Sequence, residues 1–394
     1  MSVLLAGAVW AGLVAVLLLR AVRQFRAHRA TALATPRRNA GLPSVSVIVP
    51  VRNEIDNIGL CMAGLTAQTG LGRSAELIIV DDASQDATAA AVEAAIAAGA
   101  PLRLIAAGSL PTGWMGKPHA CWRGAGLSDR EWLCFIDADV RAEAPLVAAA
   151  LSAALAQQLD MLTLLPLQEF GSFWERVVMP AGVLMIACAT EPIAGADATS
   201  AAIVANGQFL LIRRSVYYRI GGHAAVRAEV CEDKALALRV RRAGFRYRPL
   251  AAEHLARTRM YRGFDALWEG LSKNAVEITG TVPGTLAAAA AGLAVGWATL
   301  FLPVAVALAL LRHPSPEAAI GGALALLGSA IVIAVQLGTA RHFRIPVGFG
   351  LLFGLGYTIA AVLACRSILV RLDGRVRWKG RVYDLRRKAS PGRS

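Results

Sequence analysis

Short apolar runs rich in β-branched residues recur through the chain and predict buried strands. They lie at Val45–Val51, Leu77–Val80, Leu102–Ala106, Trp132–Ile136 and Met161–Leu165. Alanine-rich stretches of helical character separate them, at about 54–68, 86–98, 118–127 and 143–157. Strand–helix alternation of this kind predicts an α/β domain, in which a mostly parallel sheet carries helices on both faces.

Four longer apolar segments flank this region, and each is long enough to cross a bilayer. The first lies at 3–19, and the others at about 285–311, 318–340 and 345–365. They raise the hydrophobic share of the 394 residues to 56%, with only 17% charged. Such a composition is typical of a membrane protein.

The net charge of +14 is concentrated beside the apolar segments. One basic cluster follows the first segment and comprises Arg20, Arg23, Arg26, Arg29, Arg37 and Arg38. Ten Lys and Arg residues lie between Arg366 and Ser394, against only Asp373 and Asp384. We therefore expect anionic lipid headgroups as partners and no nucleic acid. Because basic segments stay on the inner side, the middle of the chain should be cytoplasmic, on the inner membrane.

These patterns predict a division of the chain into five parts. They are a transmembrane anchor at 1–20, a basic linker at 21–43, an α/β domain at 44–283, membrane segments at 284–365 and a basic cytoplasmic tail at 366–394. The apolar stretch 173–189 includes Glu175, Arg176 and Pro180. It predicts either a helix lying in the membrane plane or a buried core helix.

The charge pattern and the number of apolar segments conflict at the C-terminus. Three spans after residue 284 would place the basic tail outside, although such tails favour the cytoplasm. Four glycines weaken the early part of the last segment as a helix: Gly348, Gly350, Gly354 and Gly356. We therefore expect 345–365 to be re-entrant or interfacial, with three ordinary spans as the alternative.

Polar residues follow three predicted strands of the sheet. Pro50 and Glu54 stand at the end of the first, Asp81 and Asp82 at the end of the second, and Asp137-Ala138-Asp139 at the end of the fourth. Parallel strands deliver their carboxyl ends to one edge, where ligands bind. For Asp81 and Asp82, the alternative to ligand binding is a purely structural role as helix caps. The pair Asp137 and Asp139 instead suits Mg²⁺ or Mn²⁺ bridging substrate phosphates.

Five stretches occur in the order seen in family 2 glycosyltransferases of the inverting GT-A type, and the chain resembles that family over residues 44–275. They are VSVIVPVRNE, IIVDDASQDAT, FIDADV, NGQFLLIRRSVYYRIGGH and CEDKALALRVRRAGF. Three more stretches resemble a membrane-bound subgroup associated with hopanoid biosynthesis and carotenoid glycosylation. They are LPTGWMGKPHAC, TRMYRGFDALWEGLSKN and VRWKGRVYDL.

The resemblance implies roles for individual residues. Asp81 and Asp82 would hold the base and ribose of a nucleotide sugar, and Asp137 and Asp139 the metal, with Asp139 the more direct ligand. Lys117 would lie near the diphosphate. Glu232-Asp233 would supply the general base, Asp233. Acids that open a helix also have an ordinary stabilising role there.

The chain departs from the family where many relatives carry a Q/RxxRW motif that clamps the diphosphate and acceptor. Here the sequence reads Arg257-Thr258-Arg259-Met260-Tyr261, with Trp268 further on. Gln208, Arg259, Tyr261 and Trp268 are candidate replacements. Arg259 and Tyr261 are equally suited to an interfacial helix with cations and aromatic rings at the bilayer surface.

The expected function is a metal-dependent inverting transfer of a hexose from a nucleotide sugar, most commonly UDP-linked, to a membrane lipid. A hopanoid, a carotenoid or another polyisoprenoid-derived lipid or glycolipid would be the acceptor. One alternative is a processive polysaccharide synthase, which needs more helices to enclose a polymer. Another is a transporter or non-catalytic scaffold, which the nearly uncharged spans and the intact acids disfavour.

Overall fold

The computed structural model describes residues 3–35, 41–71, 75–189 and 203–384. It divides into two compact units. The first comprises Met1–Ala27, Glu169–Pro192 and Tyr261–Asp373, and the second comprises His28–Gln168, Ile193–Met260 and Gly374–Ser394. Part of the predicted linker (36–40) and the tail from residue 385 lie outside the described residues.

The second unit is built on a seven-stranded sheet with the order β3-β2-β1-β4-β8-β6-β9. Its strands are β1 (Val45–Val51), β2 (Ala75–Asp81), β3 (Leu102–Ala106), β4 (Trp132–Ile136), β6 (Met161–Leu165), β8 (Phe209–Arg213) and β9 (Tyr247–Ala251). A three-stranded sheet contains β5 (Val140–Ala142), β7 (Leu167–Gln168) and β10 (Ala256–Thr258), and a hairpin pairs β11 (Arg375–Trp378) with β12 (Arg381–Asp384).

Five α-helices of ten or more residues lie in the described part of this unit: α2 (Ile55–Thr66), α3 (Thr88–Ala97), α4 (Gly116–Ala125), α5 (Leu146–Ala156) and α8 (Glu232–Arg242). A short helix, α7 (Arg214–Arg219), follows β8. Successive side chains of β1 pack on opposite faces of the sheet, with Val47 and Val49 in one core and Ile48 in another. Both faces are covered, which explains why the strands read as nearly continuous apolar runs.

The prediction of a mostly parallel sheet is confirmed, with one antiparallel insertion. The pairs β3–β2, β2–β1, β1–β4 and β6–β9 are parallel, whereas β8 runs antiparallel to β4 and β6. All five predicted strands form, and four of them have their predicted bounds; only β2 is longer than expected, at Ala75–Asp81. The motif NGQFLLIRR therefore places Phe209–Arg213 in the middle of the sheet.

The first unit is helical. Its helices are α1 (Val3–Ala30, which continues into the second unit), α6 (Phe173–Ala189), α9 (Gly263–Thr279), α10 (Val282–Arg312), α11 (Pro316–His342) and α12 (Phe353–Asp373). Among the described residues, four stretches are long and apolar enough to cross a membrane: Val3–Ala30, Val282–Arg312, Pro316–His342 and Val347–Asp373.

Small residues let α1 and α11 approach closely. A methyl group added at Gly7 would lie 2.0 Å from the carbonyl oxygen of Gly321, and one added at Gly328 would lie 2.8 Å from the Trp10 ring. Contacts of this type are how apolar helices pack where no water drives their association.

Four segments differ from the sequence expectations. The helix α1 continues through Ala30, so the first ten residues of the predicted linker are helical. The helical unit takes in all of Glu169–Pro192 and the beginning of Tyr261–Asp373, which the sequence had assigned to the domain 44–283. The tail from residue 366 begins as part of α12 and then forms the β11–β12 hairpin.

Candidate active site

Carboxylates from separate strands gather at one edge of the large sheet. Asp81 is the last residue of β2, and it pairs in register with Val51 at the end of β1. The neighbouring strand β4 ends at Ile136, one residue before Asp137. The backbone N–H of Asp82 donates to the carbonyl of Val51 over 2.9 Å, which holds the two loops together. The edge is the one at which parallel strands bind ligands.

Pro50 fits the end of β1 because its missing N–H is not needed there. The pairing of β1 with β4 covers only Val45 to Ile48, so Pro50 lies beyond the shared ladder on that side. Glu54 follows two residues after Arg52, just before α2, and its carboxylate accepts from the Asn57 side chain over 2.9 Å.

Lys117 lies between two carboxylates at the centre of the site. Its ammonium is 2.7 Å from Oδ1 of Asp137 and 2.9 Å from Oε1 of Glu232. It also donates to the carbonyl of Gly207 over 3.4 Å. A methyl group at Gly207 would come within 2.9 Å of the ammonium, so glycine is what allows this approach. Three motifs distant in sequence therefore meet around one cation.

The charges of Lys117, Asp137 and Glu232 depend on one another. Burial opposes the charged form of Lys117, but the carboxylates of Asp137 and Glu232 raise its pKa well above the ordinary value. Burial also opposes the charged form of Glu232, but Lys117 lowers the pKa of that carboxyl overall. Burial raises the pKa of Asp137, against the opposing charge of Lys117. The arrangement favours Lys117 charged and Glu232 ionised.

Asp233, the next residue, is in a different electrostatic setting. Burial and the neighbouring charge of Glu232 raise the pKa of Asp233 to about 6. A carboxyl with that pKa is mostly ionised at neutral pH but holds a proton more readily than an ordinary aspartate. This is the property that a general base needs.

Asp139 has the features of a cation ligand. Its Oδ1 atom is buried and makes no hydrogen bond within the described residues. Burial and the charges of Asp137 and Glu54 raise the pKa of Asp139 to about 7, while the charges of Lys379 and Lys117 oppose the rise. Like charges facing one another with an unpaired oxygen are relieved by a cation.

No three His, Cys, Asp or Glu side chains within the described residues are grouped to hold a metal alone. The pair Asp137 and Asp139 nevertheless fits a divalent cation shared with a ligand. Mg²⁺ is commonly bound through one or two carboxylates together with substrate phosphates.

Asp82 is the most enclosed of the predicted donor-binding acids. Its side chain forms an ion pair with Arg381, and its Oδ1 atom is buried with no hydrogen-bond partner in the described residues. Asp81 is less enclosed and accepts from the backbone N–H of Ser84 at 3.2 and 3.3 Å. Only Asp81 therefore has the turn-capping contact of an ordinary strand-end aspartate.

The four candidate clamp residues fall in different places. Gln208 is buried beside the site, and its amide oxygen accepts from Gln168 and Asn206 while its nitrogen donates to Thr258, each over 3.0 Å. Arg259 follows β10 in the same unit and is half-buried. Tyr261 and Trp268 belong to the helical unit, where Tyr261 packs against Gly270 and Trp268 lies under the Arg366 guanidinium.

Three cations at the site had no role in the sequence interpretation. Arg52 donates to the carbonyls of Asp82 and Ala83 over 2.5 and 2.7 Å. Lys379 and Arg381, from the β11–β12 hairpin, form ion pairs with Glu54 and Asp82. The alternating Val376 and Trp378 followed by Lys379-Gly380 were a hairpin signal in the sequence. That signal was masked by the basic character of the tail.

Comparison with known proteins bears on this arrangement of carboxylates around a lysine. Residues 46–232 match the family described as Glycosyl transferase family 2. The match covers a little under half of the 394 residues and begins at the first strand of the large sheet.

Two curated relatives are 4,4'-diaponeurosporenoate glycosyltransferases. The protein from Staphylococcus haemolyticus is 28% identical over 244 residues, which is 61% of this chain and 63% of that protein. The protein from Staphylococcus aureus is 26% identical over 249 residues, covering 62% and 64%. The chain therefore spans somewhat less than two thirds of the length of these relatives.

A solved structure with a similar fold is a mannosyltransferase from Pyrobaculum calidifontis in complex with GDP-Man and Mn²⁺. The TM-score is 0.53 at 18% sequence identity, covering 94% of this chain and 99% of the other. At that identity the likeness concerns the fold, which is the GT-A type with added apolar helices.

Proposed function

We propose that this protein transfers a hexose from a nucleotide sugar to a membrane-embedded polyisoprenoid-derived lipid, with inversion at the anomeric carbon. The observation that carries the proposal is Lys117 held between Asp137 and Glu232, with Asp139 and Asp233 beside them. These residues divide into two groups with different roles in the proposed reaction. Asp137 and Asp139 face the leaving diphosphate, and Asp233 serves the incoming hydroxyl.

In the proposed reaction, the ionised carboxylate of Asp233 accepts the proton of the acceptor hydroxyl. The hydroxyl oxygen forms a bond to the anomeric carbon from the face opposite the diphosphate. The bond between that carbon and the phosphate oxygen breaks, and the nucleoside diphosphate leaves with both electrons. Attack from the opposite face inverts the configuration. Lys117 is positioned to hold positive charge beside the departing group.

Asp137 and Asp139 would hold Mg²⁺ or Mn²⁺, which when bound supplies positive charge to the diphosphate oxygens. Glu232 has a different part, because its ion pair with Lys117 fixes the direction of the ammonium. Its burial, at 7% exposure, keeps that pair out of bulk water. Asp81, Asp82, Glu54 and Pro50 would receive the base and ribose.

An apolar cavity in the helical unit supports a lipid acceptor. It measures about 180 Å³ and is lined by side chains of α1, α6, α10, α11 and α12. Val14, Met185 and Val335 are among its walls, and Gln336 and Tyr357 provide its polar groups. Gln336 donates to the Tyr357 hydroxyl over 2.9 Å, so these polar atoms satisfy each other and leave a space suited to hydrocarbon.

The division into units also supports a particular membrane topology. The chain leaves the second unit after Met260 and returns to it at Gly374. Both points must lie on one side of the membrane, so the number of crossings between them is even. Three apolar segments lie in that interval, at Val282–Arg312, Pro316–His342 and Val347–Asp373. One of them must enter and leave on the same side.

Contacts within the helical unit favour the last segment as the one that does not cross. A methyl group at Gly354 would be 3.9 Å from the carbonyl of Gly296, so α12 begins beside the middle of α10. Arg371, near the C-terminal end of α12, lies 3.1 Å from Glu277, which precedes α10 in the chain. The helix α12 therefore ends close to the N-terminal end of α10. We propose that α10 and α11 form a crossing pair and that 345–365 is re-entrant. The basic tail and the catalytic domain are then both cytoplasmic.

The decisive experiment is mass spectrometry of lipids from cells with and without the protein, and with the Asp233→Asn variant. A glycolipid that needs the active protein, with one added hexose, is the expected result. A ladder of products would instead indicate a processive synthase. If purified protein neither transfers nor hydrolyses any UDP- or GDP-linked sugar, and Asp139→Ala changes nothing, the protein is a scaffold and the proposal is wrong.

A further inference from the structure

The hairpin that follows the last apolar helix reaches into the candidate donor site. Its strands β11 and β12 are joined by a two-residue turn, Lys379-Gly380, and both residues have positive φ, at 46° and 77°. Turns of that kind match the twist of the strands they connect. The hairpin belongs to the same compact unit as the glycosyltransferase domain.

Two side chains of the hairpin bind acids at the ends of β1 and β2. Lys379 forms an ion pair with Glu54, and Arg381 forms one with Asp82. Arg381 also donates to the backbone carbonyl of Asp82 over 3.2 Å. Arg52 closes the arrangement by donating to the carbonyl of Lys379 over 3.2 Å. The hairpin tip is thereby fixed at the loop edge of the sheet.

The site is shaped to admit the hairpin. A methyl group at Gly116 would lie 2.3 Å from Oδ2 of Asp82, 2.9 Å from the Arg381 guanidinium and 3.1 Å from the Tyr383 hydroxyl. Glycine directly before Lys117 is what allows these groups to meet. Four segments distant in sequence, around Arg52, Asp82, Gly116 and Arg381, therefore converge on one small volume.

If the hairpin only fastened the loops together, one feature of Asp82 would remain unexplained. Asp82 is 3% exposed, and its Oδ1 atom is buried without a hydrogen-bond partner in the described residues although two cations are close by. A buried carboxylate oxygen without a partner costs free energy unless a ligand satisfies it. The hydroxyls of a ribose are donors of the required kind.

The chain also lacks the tryptophan-containing motif with which many relatives clamp the diphosphate. Lys117, held between Asp137 and Glu232, supplies one positive charge there. Lys379 pairs with Glu54, just beyond the end of β1, so its ammonium lies at the edge of the sheet where the phosphates of a donor would be bound. A nucleoside diphosphate needs compensating positive charge when it is taken out of water.

We propose that the C-terminal hairpin is part of the donor site, where Lys379 binds the diphosphate of the nucleotide sugar and Arg381 positions Asp82 for the ribose. This assignment rests on the proposed function, because it presumes a nucleotide-sugar donor. It gives the motif VRWKGRVYDL a role in donor binding in place of the headgroup contact expected from its charge.

The test is the binding of UDP and UMP, and in parallel GDP and GMP, to the full-length protein in detergent with Mn²⁺, measured by calorimetry. Lys379→Gln should weaken binding of the diphosphate by roughly ten- to a hundredfold, the range for a hydrogen bond to a charged group. It should affect the monophosphate much less. Arg381→Gln should weaken both forms alike, because it acts through Asp82.

Two further variants keep the outcome interpretable. Arg377→Gln removes the same charge from an exposed position of the same hairpin and should leave both affinities unchanged. Lys379→Arg keeps the charge and should stay within about threefold of the original protein, a change below 1 kcal/mol. A Lys379→Gln protein with unchanged or tighter diphosphate binding would overturn the proposal, as would equal weakening of mono- and diphosphate. If the unaltered protein binds neither UDP nor GDP, the proposed function itself fails.

Discussion

The ammonium of Lys117 lies 2.9 Å from the carboxylate of Glu232, which opens the helix α8. Glu232 is separated from Lys117 by more than a hundred residues, and the contact links the GWMGK segment to the acids of the CEDK motif. Lys117 also contacts Asp137, so one cation joins the acids after β4 to the start of α8. In the proposed reaction, Glu232 orients Lys117 and Asp233 serves the acceptor.

Replacing Lys117 by methionine should reduce turnover by roughly 10²–10³-fold, the range for loss of one group that stabilises transition-state charge. The substitution leaves Asp137 and Glu232 facing each other without the cation between them. Steady-state kinetics with a nucleotide sugar measures the effect. Arg123→Met, an exposed position on the same helix, is the matched control. A Lys117→Met protein within threefold of normal turnover would contradict the assignment.

Asp233→Asn should lower turnover by ~10²–10⁴-fold, because the amide cannot accept the hydroxyl proton. The affinity for UDP or GDP should change little. Asp129→Asn, at a side chain that is 90% exposed, provides the control. A collapse of nucleotide affinity would instead assign Asp233 to the donor site.

The same residue predicts the pH dependence. Since the base acts when ionised and its pKa is about 6, kcat/KM should fall about tenfold per pH unit below that value. The raised pKa also makes Asp233 stabilise the fold below the ordinary carboxyl pKa of about 3.9, and this contribution is lost as the pH rises through about 6. A flat rate profile between about pH 5 and 8 would argue against this base.

Activity should require Mg²⁺ or Mn²⁺ and should be lost in excess chelator. The reason is the pair Asp137 and Asp139, with its unpaired buried oxygen on Asp139. Restoration by added Mn²⁺ excludes simple inactivation by the chelator. Asp139→Asn should also make UDP binding less dependent on Mn²⁺. Full turnover in excess chelator would show that the pair has another role.

Filling the apolar cavity should impair transfer to the lipid and spare the donor site. Val335→Phe places a ring in the cavity wall, and we expect transfer to fall roughly tenfold or more, as for a misfit in a hydrophobic pocket. Hydrolysis of the nucleotide sugar without acceptor should be unchanged. Leu308→Phe, on α10 at a position that is 52% exposed, is the control. Equal loss of both reactions would assign the cavity a purely structural role.

A single cysteine at Ser390, in a protein lacking the native cysteines, should resist a membrane-impermeant maleimide applied to intact cells. A cysteine at His313, between α10 and α11, should be labelled under the same conditions. Both expectations follow from an even number of crossings between Met260 and Gly374. External labelling at position 390 would mean that the last segment crosses the membrane.

The sequence allowed most of the sheet to be predicted because its buried strands are short apolar runs bounded by polar turns. Trp132–Ile136 and Met161–Leu165 have the bounds that were expected. The antiparallel strand Phe209–Arg213 was recognised only as a motif, since its place between β4 and β6 depends on long-range pairing. Pairing between strands that are distant in sequence is not marked by any local pattern, so the neighbours of this strand in the sheet could not be inferred.

The site was predicted where residues lie at strand ends and missed where a distant segment folds back. Asp137 and Glu232 were proposed from their motifs, and both contact Lys117 in the structure. The pairing of Arg381 with Asp82 joins residues 299 positions apart. A basic segment after an apolar helix has the same composition whether it binds headgroups or a protein carboxylate, so charge alone could not distinguish them.

The position of the hairpin in the chain has a consequence for biosynthesis. Glu54 and Asp82 leave the ribosome early, whereas Lys379 and Arg381 follow the four long apolar helices of the described residues. The proposed donor pocket is therefore completed only after these helices have been translated. Chains that stop short would carry the acids without their cations. Under the proposed function, the order of synthesis delays sugar-nucleotide turnover until the polypeptide has the helices that bring it to its lipid.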